Sequence, residues 1–68
     1  MNIIKKIVKE NAAGNLLEAV ILEKESGMAI KYYVNNVYKH EELFASKDLA
    51  MVENIANQWL SEVRSLNG

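Results

Sequence analysis

Residues 28–44 read MAIKYYVNNVYKHEELF, and the way this stretch folds back on itself decides the architecture. From Met28 the residues alternate, with Met28, Ile30, Tyr32 and Val34 on one side and Ala29, Lys31, Tyr33 and Asn35 on the other. Period two marks a strand, and Tyr, Ile and Val suit a pleated surface. Asn35-Asn36 interrupts the run, and two asparagines suit a type I′ turn because Asn tolerates positive φ. A two-residue turn fixes the register: Val34 faces Val37, Tyr33 faces Tyr38, Tyr32 faces Lys39 and Lys31 faces His40. Opposed residues share a face. One face then carries Met28, Ile30, Tyr32, Val34, Val37 and Leu43, and the other Ala29, Lys31, Tyr33, Tyr38 and His40.

Upstream, Leu16–Lys24 (LLEAVILEK) is long enough for a strand and ends at a turn containing Gly27. With Glu25-Ser26-Gly27 as a three-residue loop and Gly27 as a bulge glycine, Leu22 pairs with Ile30 and Val20 with Tyr32. Leu16, Val20 and Leu22 then join the Met28 face, and Leu17, Ala19 and Ile21 the Tyr33 face. Ile3-Ile4-Lys5-Lys6-Ile7-Val8 fits a helical stripe by spacing and a strand by its β-branched side chains; the strand is preferred. Asn11–Asn15 is a loop in which Gly14 takes positive φ. Downstream, Ala45–Leu66 reads as a helix, with Ser46 as N-cap. Asp48 and Arg64 match its dipole. Leu49, Val52, Ala56, Trp59 or Leu60, Val63 and Leu66 form its apolar stripe, and Asn67-Gly68 is its stop. At about 1.5 Å per residue it runs about 30 Å, longer than four strands about 4.8 Å apart are wide. The expected fold is α+β, one domain over residues 1–68: a four-stranded antiparallel meander followed by one long C-terminal helix packed on one face.

Sixty-eight residues lie near the lower limit for a chain that folds alone, and a 50% hydrophobic content implies a packed core. With no cysteine, neither disulfides nor thiolate metal ligands enter. No apolar run approaches the roughly 20 residues of a membrane helix, and Met1–Lys6 lacks a signal peptide's apolar segment. A cytoplasmic protein is expected. The net charge of −1 shows neither the basic excess of a nucleic-acid module nor the acidic excess of a DNA mimic.

One helix covers one face of a sheet. The opposite face, by these registers, carries Leu17, Ala19, Ile21, Ala29, Tyr33 and Tyr38, joined by Ile3/Ile7 or Ile4/Val8. Exposed apolar patches beyond a few hundred Å² mark binding surfaces. The chain is therefore read as a non-enzymatic interaction module that pairs with itself or docks on another protein. The partner-binding residues are Leu17, Ala19, Ile21, Lys31, Tyr33, Tyr38 and His40. On this reading Ile21→Glu or Tyr33→Glu gives a monomer or loses the partner. The alternative is a different register in which the apolar residues form one core.

No catalytic, cofactor-binding or metal residue is assigned, and no cofactor is expected. His40 is the single histidine and stands beside Glu41-Glu42, yet no nucleophile is placed near it by any pattern. Adjacent strand carboxylates point to opposite faces and do not chelate. Lys5, Lys6, Lys31, Lys39, Tyr33, Tyr38 and His40 also match a basic-aromatic surface for single-stranded nucleic acid; the charge balance favours solubilising lysines that guard strand edges.

Residues 33–37 together with Phe44-Ala45-Ser46-Lys47-Asp48-Leu49-Ala50 resemble integrase-arm and ethylene-response-type DNA-binding modules, which read DNA with a three-stranded sheet. The match covers under half the chain and lacks their sheet arginines. Tyr32-Tyr33-Val34-Asn35 with Ala56-Asn57-Gln58-Trp59-Leu60 is similar, in style and size, to small phage and bacterial proteins, among them anti-CRISPR proteins. That resemblance implies a protein that binds a host protein and names no active residue.

Overall fold

The computed structural model describes residues 2–67, with side chains described as far as Ser61. Strands β1 (Asn2–Glu10), β2 (Leu16–Lys24), β3 (Gly27–Val34) and β4 (Val37–Phe44) precede one helix, α1 (Leu49–Asn67). The sheet runs in order β1-β2-β3-β4 with every neighbour antiparallel. The expected meander plus C-terminal helix is the fold, and Asn2–Glu10 is a strand. No helix among the described residues is long and apolar enough to cross a membrane.

The β3–β4 turn forms as the two asparagines require. Asn35 and Asn36 both take left-handed backbone angles, φ 51° and 68°, matching the primed turn that suits strand twist. Asn35 also ties this turn to the start of β2. Its N–H donates to the Leu16 carbonyl at 2.7 Å, and its Oδ1 accepts from the Leu16 N–H at 2.8 Å. The β1–β2 loop is built around buried Asn11, whose Oδ1 accepts from the N–H groups of Ala13 and Asn15. Gly14 supplies the left-handed residue there, with φ 83°.

Two departures from the expected register change which residues share a face. The β2–β3 connection has two residues, not three: Lys24 pairs with Gly27, so Ile21 pairs with Ile30 and Ala19 with Tyr32. Shortening the loop by one residue moves every β2 side chain to the opposite face. Gly27 belongs to β3 because its backbone lies against the end of β4, where an added Cβ would stand 1.9 Å from the Phe44 carbonyl oxygen. The second departure is a bulge in β4. Tyr33 pairs with Tyr38, but Tyr32 pairs with His40 and Lys31 with Glu41. The extra residue turns His40 to the face of Tyr32 and sets Leu43 opposite Ala29, on the other face.

The helix lies over the two central strands. Ala19 and Ile21 of β2 and Met28, Ile30 and Tyr32 of β3 form one buried cluster with Val52 and Ala56 of α1. Ile7, Phe44, Leu49, Ile55 and Trp59 close its margins, and Leu60 is also buried. The helix starts later than Ala45. Asp48, not Ser46, is its N-cap: Oδ1 accepts from the Met51 N–H at 3.3 Å and the Asp48 carbonyl from Val52 at 3.1 Å. Ser46 instead accepts from the Asp48 N–H and orients the cap. The side chains of Val63, Arg64 and Leu66, and the stop residue Gly68, lie outside the described residues.

Candidate interaction surface

The face of the sheet away from α1 can be built row by row from the pairing. The first row crosses the sheet as Ile3, Leu22, Ala29 and Leu43, and is wholly apolar. The second is Lys6, Val20, Lys31 and Glu41; the third is Val8, Glu18, Tyr33 and Tyr38. Ion pairs fix this assignment independently. Lys6 reaches Glu18 on this face at 3.5 Å, whereas its neighbour Lys5 reaches Glu53 of the helix at 3.2 Å.

Of the seven residues expected to form one open surface, Lys31, Tyr33 and Tyr38 do share it. Tyr33 and Tyr38 meet edge to face, ring centres 5.8 Å apart. Leu17, Ala19 and Ile21 do not: each is fully buried, and Ala19 and Ile21 lie in the cluster under the helix. The two-residue β2–β3 turn is the cause. Glu18 carried a signal for the right parity, because a charged residue in mid-strand marks its side as the one without a helix; Glu23 and Lys24 at the strand end carried none, since they are charged on both sides. His40 is likewise displaced by the β4 bulge. It stacks on Tyr32 on the helix side, ring centres 4.6 Å apart. In their place stand Ile3, Val8, Val20, Leu22 and Leu43. The β1 residues reach this face through a bulge between Ile3 and Lys5, which breaks both expected sets, since Ile7 packs on the core.

The centre of this face is shielded although no secondary-structure element lies on it. Val20, Leu22 and Ala29 are at most 6% exposed. Lys24 on β2 pairs with Glu41 on β4 at 3.1 Å, and the line between them crosses β3 near Ala29, whose side chain is one methyl group. Long charged side chains can cover apolar surface with their methylene stems while the charges meet at the surface. The rim is open: Ile3, Val8, Tyr38 and Leu43 are 52–70% exposed. A dish of about 250 Å³ lies among Ile3, Lys6, Glu18, Val20, Tyr33 and Asn36.

Neither the scan of protein-family models nor the searches of curated proteins and solved structures finds a match to this chain. The reading of this surface therefore rests on its own chemistry.

On the helix side, Tyr32, His40 and Trp59 form a second aromatic group. Tyr32 lies between the other two rings, 4.3 Å from Trp59 and 4.6 Å from His40. Its hydroxyl donates to Glu42 at 2.9 Å. Burial raises the Tyr32 phenol well above its ordinary range, and the bond to Glu42 and that carboxylate's charge raise it further. A groove of about 360 Å³ runs beside this group, lined also by Ile55 and Gln58. The phenol stays neutral and orients Glu42, and the groove is lined by no serine, threonine or cysteine. Among the described residues no group of three His, Cys, Asp or Glu gathers to hold a metal.

Proposed function

We propose that this protein is a non-enzymatic protein–protein interaction module that binds through the open face of its sheet. The observation that carries this reading is the exposure of Ile3, Val8, Tyr38 and Leu43 around a floor of Val20, Leu22 and Ala29. Large apolar side chains gathered on one face lower their free energy by leaving water, at roughly 25 cal/mol per Å². Both strand edges argue against pairing at the edge instead. β1 is bulged and carries Lys5, Lys6 and Lys9; β4 is bulged and carries Lys39, Glu41 and Glu42. Bulges and charges are the devices that keep edge strands from adding a further strand. A phage-encoded inhibitor of a host protein, of anti-CRISPR type, is the narrower form of this proposal and rests on resemblance in size and style. A cytoplasmic setting belongs to the same proposal.

A nucleic-acid reading draws on the juxtaposition of Lys31, Tyr33 and Tyr38. It is the weaker one, because Lys6 is paired with Glu18 and Lys24 with Glu41, and the chain's net charge is −1, leaving little positive excess for phosphates.

Sedimentation of the purified chain, and gel filtration of native extract from the producing cell, test the proposal. The wild type assembles in at least one of the two settings, and Tyr38→Glu and Leu43→Glu abolish that assembly while leaving the far-UV spectrum unchanged. A single-chain mass in both settings removes the proposal. Salt-sensitive retention on heparin that Lys31→Glu abolishes would replace it with the nucleic-acid reading.

A further inference from the structure

We infer that the occupant of the open face is a second copy of this chain, set so that β1 of one protomer lies over β4 of its partner. This rests on the interaction reading above and adds the identity and orientation of the partner.

The area is close to what a specific interface needs. Four strands about 4.8 Å apart and about nine residues long at about 3.3 Å each give a face on the order of 570 Å² in projection. Specific interfaces start at about 600 Å² per partner, and projecting side chains add to the projected figure.

The rows select the orientation. Two facing sheets related by a two-fold axis have two simple arrangements. With the axis parallel to the strands, each row lies over the same row reversed. Ile3 meets the partner's Leu43, Lys6 meets the partner's Glu41, and Val8 meets the partner's Tyr38. Leu22 meets the partner's Ala29, a large residue over a small one, while Val20 meets the partner's Lys31 and Glu18 the partner's Tyr33. Two-fold symmetry makes each of these contacts twice. With the axis perpendicular to the strands, the same residues give the opposite outcome. Lys6 lies over the partner's Lys6 and Glu41 over the partner's Glu41, and like charges at an interface are strongly disfavoured. At the two edges of the face stand Lys6 on β1 and Glu41 on β4, so only the first arrangement brings these opposite charges together at both edges. Aligned packing of two twisted sheets keeps their strands within about 30° of each other, which preserves these matches.

The absence of cysteine makes the arrangement directly testable. Ile3→Cys and Leu43→Cys proteins are prepared separately, mixed, and treated with a short bismaleimide. The expected product is a covalent dimer in the mixture and little in either protein alone. Lys6→Cys alone gives none. In parallel, Lys6→Glu alone and Glu41→Lys alone weaken self-association about tenfold or more, through like-charge contacts. Mixing the two restores it, because opposite charges then meet again in both symmetry-related contacts. Circular dichroism confirms that each variant is folded, and the cysteine pair decides the matter if Glu41→Lys is not. Efficient cross-linking of Lys6→Cys to itself overturns the orientation while leaving a dimer. A purified chain that sediments as a monomer at its highest soluble concentration overturns the second-copy inference altogether. If that monomer still assembles in extract through Tyr38 and Leu43, the interaction reading stands without it.

Discussion

On the helix side of the sheet, Ala19, Ile21 and Ile30 are fully buried beneath Val52 and Ala56. On the other side, Val20, Leu22 and Ala29 are nearly as buried with no element above them. The same strands thus hide their central residues by two different means. One cover is a helix that packs by interlocking apolar side chains and cannot be removed without unfolding. The other is a set of long side chains, Lys6 with Glu18 and Lys24 with Glu41, half-buried over the apolar floor. The more exposed of the two, Lys6 with Glu18, is worth only about 0–1 kcal/mol. A cover of ion-paired side chains thus differs from a packed helix even where central burial is alike.

The largest test of this contrast is a charge placed on each face. A chain of 68 residues is stabilised by about 3–10 kcal/mol, and a carboxylate at Ile21 has no partner in the cluster, so Ile21→Glu should abolish the cooperative thermal transition. Leu43→Glu, on the exposed rim, should shift stability by no more than about 0.5 kcal/mol at a concentration where the protein is monomeric. The reverse result would exchange the two faces.

Next in size is Gly27→Ala, which strikes where the faces are assigned. The new methyl group meets the Phe44 carbonyl, so urea denaturation should show a loss of about 1–3 kcal/mol. A loss under about 0.3 kcal/mol would mean that β3 and the end of β4 do not approach this closely.

A smaller effect, confined to the helix side, is expected of Tyr32→Phe. Losing the hydroxyl bond to Glu42 should cost about 1 kcal/mol near neutral pH. The phenol's folded-state pKa is raised above its unfolded value near 10. The unfolded chain therefore releases this proton first, and the stability tied to the neutral phenol is complete below about pH 10 and lost as pH rises beyond it. Wild-type stability should fall above pH 10, and Tyr32→Phe should flatten that fall. An equally steep alkaline fall in the variant would assign it to other groups.

The smallest expected changes are those of Lys5→Ala, which cuts the tie from β1 to the helix, and Lys6→Ala, which uncovers part of the open face. Each should cost about 0.5 kcal/mol or less, and less still in high salt. Lys6→Ala should in addition weaken self-association by sedimentation, whereas Lys5→Ala should not.

Local chemistry determined a good deal by itself. Asn35-Asn36 specified a left-handed two-residue turn because few other residues accept positive φ twice in succession. The alternation around it specified strands, and the stripe from Leu49 to Leu60 specified a helix that must bury one side. Tyr33 and Tyr38 could be placed together because they pair beside that turn, before the register shifts, and Lys31 because it alternates with Tyr33 on one strand. What only the tertiary structure decided is parity. A side chain's face flips with each single-residue change in loop or ladder, and two such changes occur. The β2–β3 loop is one residue shorter than its glycine implied, because the Gly27 backbone is drawn against β4 by a contact distant in sequence. The β4 bulge places His40 on the helix side, where it packs with Tyr32 and Trp59, both distant from it in sequence or across the sheet. Neither contact leaves a local trace, so Leu17, Ala19 and Ile21 read locally as surface, and only the helix lying over them shows them to be core.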